Sequence, residues 1–149
     1  MFKTSIATRV LSFAVLIALL LASFPTAATA APTNESGLEG KWAKLVNIYN
    51  RQSIIHNNAP NWVNQWLADN PKAPKSKKAE LQASLVKSNA AWAPLPFIVA
   101  RHNGFDAEGN VVDKAAAQQS VKDLSKALQR YTAAMKNLRA LLRQLKMEA

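Results

Sequence analysis

The sequence predicts an all-α protein, a small up-and-down bundle of three to four helices with a long C-terminal helix, behind a cleaved N-terminal signal peptide. Three observations support this fold class. Apolar residues recur at steps of three and four in several segments, which is the helical period. The strongest such segment runs from Asp113 to the C-terminus without Gly or Pro. The chain has no cysteine, so an apolar core must supply the stability that disulfides give many small exported domains.

The first thirty residues have the three parts of a secretory signal peptide. Lys3 and Arg9 make the start cationic, residues 10–21 are apolar apart from one serine, and the small triplet Ala-Thr-Ala at 28–30 follows. These parts predict cleavage after Ala30 and a secreted or periplasmic location. Twelve apolar residues are fewer than the roughly 20 of a spanning helix, so we expect no transmembrane segment after processing.

The remaining residues, 31–149, are expected to form a single helical domain of ordinary size. Two of the 19 Lys and Arg fall in the signal peptide and none of the nine Asp and Glu, so this domain carries a net charge of +8. Such a charge attracts anionic lipid, lipopolysaccharide, nucleic acid or an acidic protein. The alternative is that the charge only keeps the domain soluble. Export disfavours nucleic acid as the partner.

Two helices are predicted in the first half of the domain, after a tether at 31–36. Ser36 and Glu39 fit a capping box, and the helix that they open is expected to fade near residues 56–58. A second, short helix follows Pro60 and ends before Pro71. The apolar stripe of the first helix consists of Leu38, Trp42, Leu45, Val46 and Tyr49.

A loop at 71–78 and a third helix come next. The loop contains two prolines and four lysines. Ser76 is the expected cap of the third helix, which runs towards Trp92.

A second loop is predicted at 94–112, because prolines and Gly-containing turn signals interrupt the chain there. Within it, the apolar residues 97–100 favour a helical turn over a strand. A small hairpin between Phe105 and Val112 is the alternative to an irregular loop.

The last helix is the most regular predicted element, with Asp113 as its cap. Its apolar residues follow an unbroken heptad pattern about 36 Å long. We call this row of apolar residues the seam. The apolar stripes of the earlier helices also need a packing partner, so the seam is expected to be the core of this domain rather than an intermolecular coiled coil. No opposite charges flank it, so we expect a monomer or a weak homo-oligomer. The seam residues are Val121, Leu124, Leu128, Tyr131, Met135, Leu138, Leu142 and Leu145.

The outer side of this last helix is basic. A charge run of this kind is ordinarily a solvated surface, and the alternative is an electrostatic docking surface for an acidic partner. The residues expected to bind are Arg130, Lys136, Arg139, Arg143 and Lys146.

Trp62 and Trp66 lie four residues apart, on one side of the predicted short helix. They either cover the end of the bundle or form an exposed aromatic platform for a peptide, glycan or lipid. We include both as candidate binding residues.

No cofactor, metal site or catalytic residue is predicted. His56 and His102 stand beside Asn at predicted helix ends, where polar residues cap and hydrate, and their spacing matches no zinc pattern. The segment from Asp106 lacks the Gly and Glu that a calcium loop requires. Glu39 and Glu80 could act as acids in glycan cleavage, but positions in the first turns of two helices explain both through the helix dipole.

The sequence therefore predicts an exported, non-enzymatic helical protein. Its basic C-terminal helix is expected to contact an acidic macromolecular partner, which would be an envelope protein, a client protein or an anionic surface. The alternatives are a membrane-surface-active or chaperone-like periplasmic protein, and a small glycan-acting enzyme.

Overall fold

The structure, a computed structural model, describes residues 37–148. Within this range the helices are α1 (Leu38–Asp69), α2 (Lys75–Trp92), α3 (Pro94–Arg101) and α4 (Lys114–Met147). The described part is thus all-α with a long C-terminal helix, as predicted. The predicted signal peptide (1–30), the tether (31–36) and the capping role of Ser36 lie outside the described residues.

Helices α1 and α4 run in the same direction, side by side. Near the start of α1, the Glu39 carboxylate accepts a hydrogen bond from the backbone N–H of Val111, just before α4. Further along, the guanidinium of Arg139 in α4 lies 5.5 Å from the ring centroid of Trp62 in α1. The order of these contacts is the same along both helices, so the two helices are parallel.

Helices α2 and α3 together form a leg that runs the opposite way. Lys77, near the start of α2, pairs with Glu148, just beyond the end of α4. Trp92, at the end of α2, packs against Tyr131 in the middle of α4, with ring centroids 4.8 Å apart. The three legs therefore run up, down and up.

The first predicted helix does not end near residues 56–58, because α1 continues through Pro60 to Asp69. The prediction of two helices was wrong. A proline inside a helix removes one backbone hydrogen bond and strains the preceding turn. Here Ala59 and Val63, on either side of Pro60, are both buried, and their burial on the core side offsets that cost.

Helix α2 begins earlier than predicted. Its N-cap residue is Pro74, without a side-chain cap, and Ser76 is its second residue. The backbone N–H groups of Lys77 and Lys78 donate to the carbonyl of Pro74 instead. The connection between α1 and α2 is therefore confined to residues 70–74, and the predicted loop at 71–78 was too long.

Residues 94–101 form helix α3, so the prediction of a continuous loop over 94–112 was wrong. A proline at the first position of a helix loses no hydrogen bond, because that N–H has no helical partner. Pro94 therefore interrupts the helix ladder but opens the next helix. The helical turn expected at 97–100 is confirmed as part of α3. Between Phe105 and Val111 there is one isolated antiparallel bridge.

Helix α4 has the cap and the core role predicted for it. The Asp113 carboxylate accepts hydrogen bonds from the N–H groups of Ala115 and Ala116. Every residue of the predicted seam is buried except Val121, which is half-buried. Ala127 is buried beside the seam. The seam is thus the core of this domain.

None of the helices in residues 37–148 combines the length and the apolar character that crossing a membrane requires.

Candidate binding face

The surface formed by α1 and α4 together is the most strongly charged feature of the described residues. The contact between Trp62 and Arg139 fixes which sides of the two helices meet. Residues seven apart lie on the same side of a helix in a bundle. The row of Trp62 on α1 therefore runs beside the row of Arg139 on α4, and one further row on each helix borders this pair on the solvent side.

We call the surface made by these four rows the basic face. Its sixteen positions carry eight Lys or Arg. The one carboxylate in these rows is Asp69, the last residue of α1, which lies one heptad after Trp62 and accepts hydrogen bonds from Gln65. The positions are Lys41, Ile48, Ile55 and Trp62, with Lys44, Arg51, Asn58 and Gln65, on α1, and Ser125, Thr132, Arg139 and Lys146, with Lys122, Gln129, Lys136 and Arg143, on α4.

The charge of the domain is concentrated on this face. Residues 37–148 contain 17 Lys and Arg and eight Asp and Glu, because Lys3, Arg9 and Glu35 precede them. Seven of the eight carboxylates lie outside these rows, as do the other nine cations. The rest of the described surface is therefore close to neutral.

Four of the predicted binding residues, Lys136, Arg139, Arg143 and Lys146, lie on the basic face. All four are exposed. Arg130 does not belong with them. Ser120 and Glu148 share one row along α4 and contact Asn103, in the loop after α3, and Lys77, in α2. The row of Arg130 borders that row.

The two candidate tryptophans do not form an aromatic platform. Trp66 is 4% exposed and belongs to the core. Trp62 is half-buried, and the guanidinium of Arg139 covers its ring. This geometry is a cation–π contact. Of the two, only Trp62 can contribute to the basic face.

The prediction missed the contribution of α1, which consists of Lys41, Lys44 and Arg51. Lys44 and Arg51 are seven residues apart, and Lys41 lies in the same seven-residue row as Ile48, Ile55 and Trp62, two turns before Ile48. This spacing is visible in the sequence. Its meaning depends on α1 being parallel to α4, which the sequence does not state.

Carboxylates gather at the two ends of the bundle. At the end where α1 and α4 begin, the pKa of Asp106 is lowered by hydrogen bonds from the side chain and backbone of Asn110. At the other end, hydrogen bonds from Lys77 and Gln144 lower the pKa of Glu148. Both groups stabilise loop or helix termini, so their role here is structural.

The two histidines have different surroundings. His102 ends α3 with a left-handed backbone (φ 34°), as expected for a residue at a helix end. His56 was also predicted at a helix end, but it lies in the middle of α1. Its ring stacks on Trp92 at 4.5 Å and meets the edge of Tyr131 at 5.8 Å. Burial lowers the pKa of His56, which favours the neutral ring.

The acids considered for glycan cleavage lie at opposite ends of the bundle. Glu39 is held by Val111, whereas Glu80 lies in α2 one turn beyond Lys77, which pairs with Glu148. Among residues 37–148, no group of three or more His, Asp and Glu is placed to hold a metal ion.

Comparison with protein-family models, with curated proteins and with solved structures finds no match to this chain.

Proposed function

We propose that this chain is an exported, non-enzymatic helical protein that binds an acidic macromolecular partner through the basic face. The signal-peptide pattern of residues 1–30 supports export. The observation that carries the binding role is the placement of eight cations on one face, with a single carboxylate, Asp69, at its end. Like charges gathered on one face destabilise a folded domain through repulsion, so solubility alone favours an even distribution of charge.

Binding to a soluble polyanion tests this function. Poly-L-glutamate should bind the protein at low salt, and the logarithm of the affinity should fall as ionic strength rises. The basic-face variant K122Q/K136Q/R143Q removes three exposed cations from one row of α4. The control variant K87Q/R101Q/K126Q removes three exposed cations from outside the basic face.

Both variants have the same net charge, so the comparison separates a binding site from a general charge effect. We expect the basic-face variant to lose most of its affinity and the control variant to keep it. Equal losses in the two variants, or no binding by the unmodified protein, would overturn the proposed function.

The exported form has a defined N-terminus. Cleavage after Ala30 predicts that protein recovered from the cell envelope or medium begins at Ala31. N-terminal sequencing or intact mass measurement checks this, and a protein that retains residues 1–30 contradicts it.

A further inference from the structure

We infer that the basic face docks on an anionic phospholipid leaflet, with α1 and α4 lying along the membrane surface. The inference rests on the proposed function and names its partner. It depends on three features: the shape of the face, the apolar residues among its cations, and how little apolar surface of α1 and α4 remains outside the core.

The cations are spread along the whole face. Lys122 and Lys146 are separated by about 36 Å along α4, and Lys41 and Arg51 lie on the neighbouring helix. Parallel packed helices have axes about 8–10 Å apart, so the face is an extended and nearly flat strip. A leaflet presents negative charge continuously in a plane, and can therefore meet all these cations at once.

Apolar groups lie between the cations. Ile48 is 42% exposed, and Ile55 and Trp62 are half-buried along the line where α1 meets α4. Trp rings favour the boundary between lipid and water, because the indole is apolar but has a polar N–H. The same row thus offers contacts to the region just below the lipid headgroups.

The docking is peripheral. The larger apolar residues of α1 and α4, among them Trp42, Trp66 and Leu138, are already buried in the core, so the face has little to insert. Each Lys or Arg near an anionic leaflet raises the affinity about fivefold. Binding should therefore depend on anionic lipid and decrease with salt.

Cosedimentation with vesicles tests the inference. One set of vesicles contains equal amounts of phosphatidylglycerol and phosphatidylcholine, and the other contains phosphatidylcholine alone. We expect binding to the first set only. The basic-face variant K122Q/K136Q/R143Q should bind about a hundredfold more weakly, whereas K87Q/R101Q/K126Q should bind as the unmodified protein does.

Trp62 gives an independent readout, because it is the least buried of the four tryptophans. The vesicles should protect part of the tryptophan fluorescence from acrylamide. This protection should disappear in the variant Trp62→Phe.

The poly-L-glutamate experiment separates the two proposals. Binding to poly-L-glutamate through the basic face, without binding to anionic vesicles, overturns the lipid inference and leaves the proposed function standing. Tighter binding to duplex DNA than to vesicles at the same ionic strength also overturns it. A protein that binds none of these polyanions contradicts both proposals, as does vesicle binding that the basic-face variant leaves unchanged.

Discussion

At the scale of single residues, the centre of the bundle combines aromatic packing with polar atoms that lack partners. Trp92 stacks against Tyr49 and His56 and meets the edge of Tyr131. The Nδ1 atom of His56 and the hydroxyl of Tyr131 are buried without a hydrogen-bond partner. Burial raises the pKa of Tyr131 to about 12, while the nearby Arg139 opposes this. Burial thus favours the neutral form of both groups.

His56 makes the stability of the fold depend on pH. Its pKa is lowered by burial, whereas in the unfolded chain it returns to about 6.5. Above that pH both states are neutral and stability is complete. As the pH falls from there through the lowered pKa of the folded state, the unfolded state binds the proton more readily, so stability decreases.

Thermal unfolding between pH 7 and about pH 5 measures this effect, since Asp106 and Glu148 titrate only at lower pH. The variant His56→Phe keeps an aromatic ring beside Trp92 and should flatten the pH dependence. His102→Gln should retain it. A decrease in melting temperature of the same size in His56→Phe would show that His56 is not responsible.

Two glycines with positive φ provide a matched pair. Gly104 (φ 85°) lies where a Cβ would clash with the backbone N of Ala117 and approach the Asp113 oxygen to 2.6 Å, whereas Gly109 (φ 88°) has open space. The carbonyl of Gly104 also accepts hydrogen bonds from Val112 and Asp113. Any side chain at Gly104 would push the loop away from the start of α4.

We therefore expect Gly104→Ala to lower the free energy of unfolding by about 3 kcal/mol. Gly109→Ala should cost only about 1 kcal/mol, from the left-handed backbone alone. Chemical denaturation of both variants measures the difference. Equal costs would mean that the loop can move away from α4.

At the scale of elements, α1 shows how packing overrides a local signal. Its seam residues Trp42, Ala59, Val63 and Trp66 are all buried, and they keep the heptad phase on both sides of Pro60. Because the two halves of the stripe are in register, a straight helix buries both against the same neighbours. A break at Pro60 would rotate one half away from the core.

Pro60 is therefore expected to lower the stability of the fold without breaking α1. Pro60→Ala should raise the free energy of unfolding by about 2 kcal/mol, because it restores the backbone donor and relieves the preceding turn. Pro94→Ala should change it by less than about 0.5 kcal/mol, since Pro94 is the first residue of α3. Thermal or chemical unfolding of both variants checks the contrast, and destabilisation by Pro60→Ala would contradict the argument.

At the scale of the whole molecule, the parallel packing of α1 and α4 divides the domain into a cationic face and a nearly neutral remainder. The closely spaced cations of the basic face repel one another, and salt screens this repulsion over about 10 Å at 0.1 M.

Stability should therefore rise with ionic strength at low salt. We expect the melting temperature to increase by a few degrees between about 0.01 M and 0.15 M salt. The increase should be smaller in K122Q/K136Q/R143Q than in K87Q/R101Q/K126Q, although both have lost three charges. Equal increases would mean that the repulsion is not concentrated on the basic face.

Much of the fold could be predicted because it rests on local periodicity. The seam from Leu124 to Leu145 and the cap at Asp113 follow from spacing and from the chemistry of one side chain. The predictions failed near Pro60, where one helix continues instead of two, and after Pro94, where a new helix follows instead of a loop. Proline removes a single donor, and whether a helix continues depends on what the next turn buries.

The candidate site was also predictable only in part, because spacing locates charged residues on a helix but tertiary packing decides which of them share a surface. The sequence identifies the cations of α4, but it places Arg130 with Arg139 although the two face different neighbours. It also leaves Trp66 open as a binding residue, whereas burial assigns it to the core.

The sequence by itself determined the helical class, the long C-terminal helix, its core seam and the excess of positive charge, because these depend on composition and on residues a few positions apart. Only the tertiary structure decided that α1 is parallel to α4, that Lys41, Lys44 and Arg51 join the cations of α4, and that seven of the eight carboxylates lie elsewhere. These features depend on which helix faces pack together, and the free energy of that packing is shared among residues far apart in the chain.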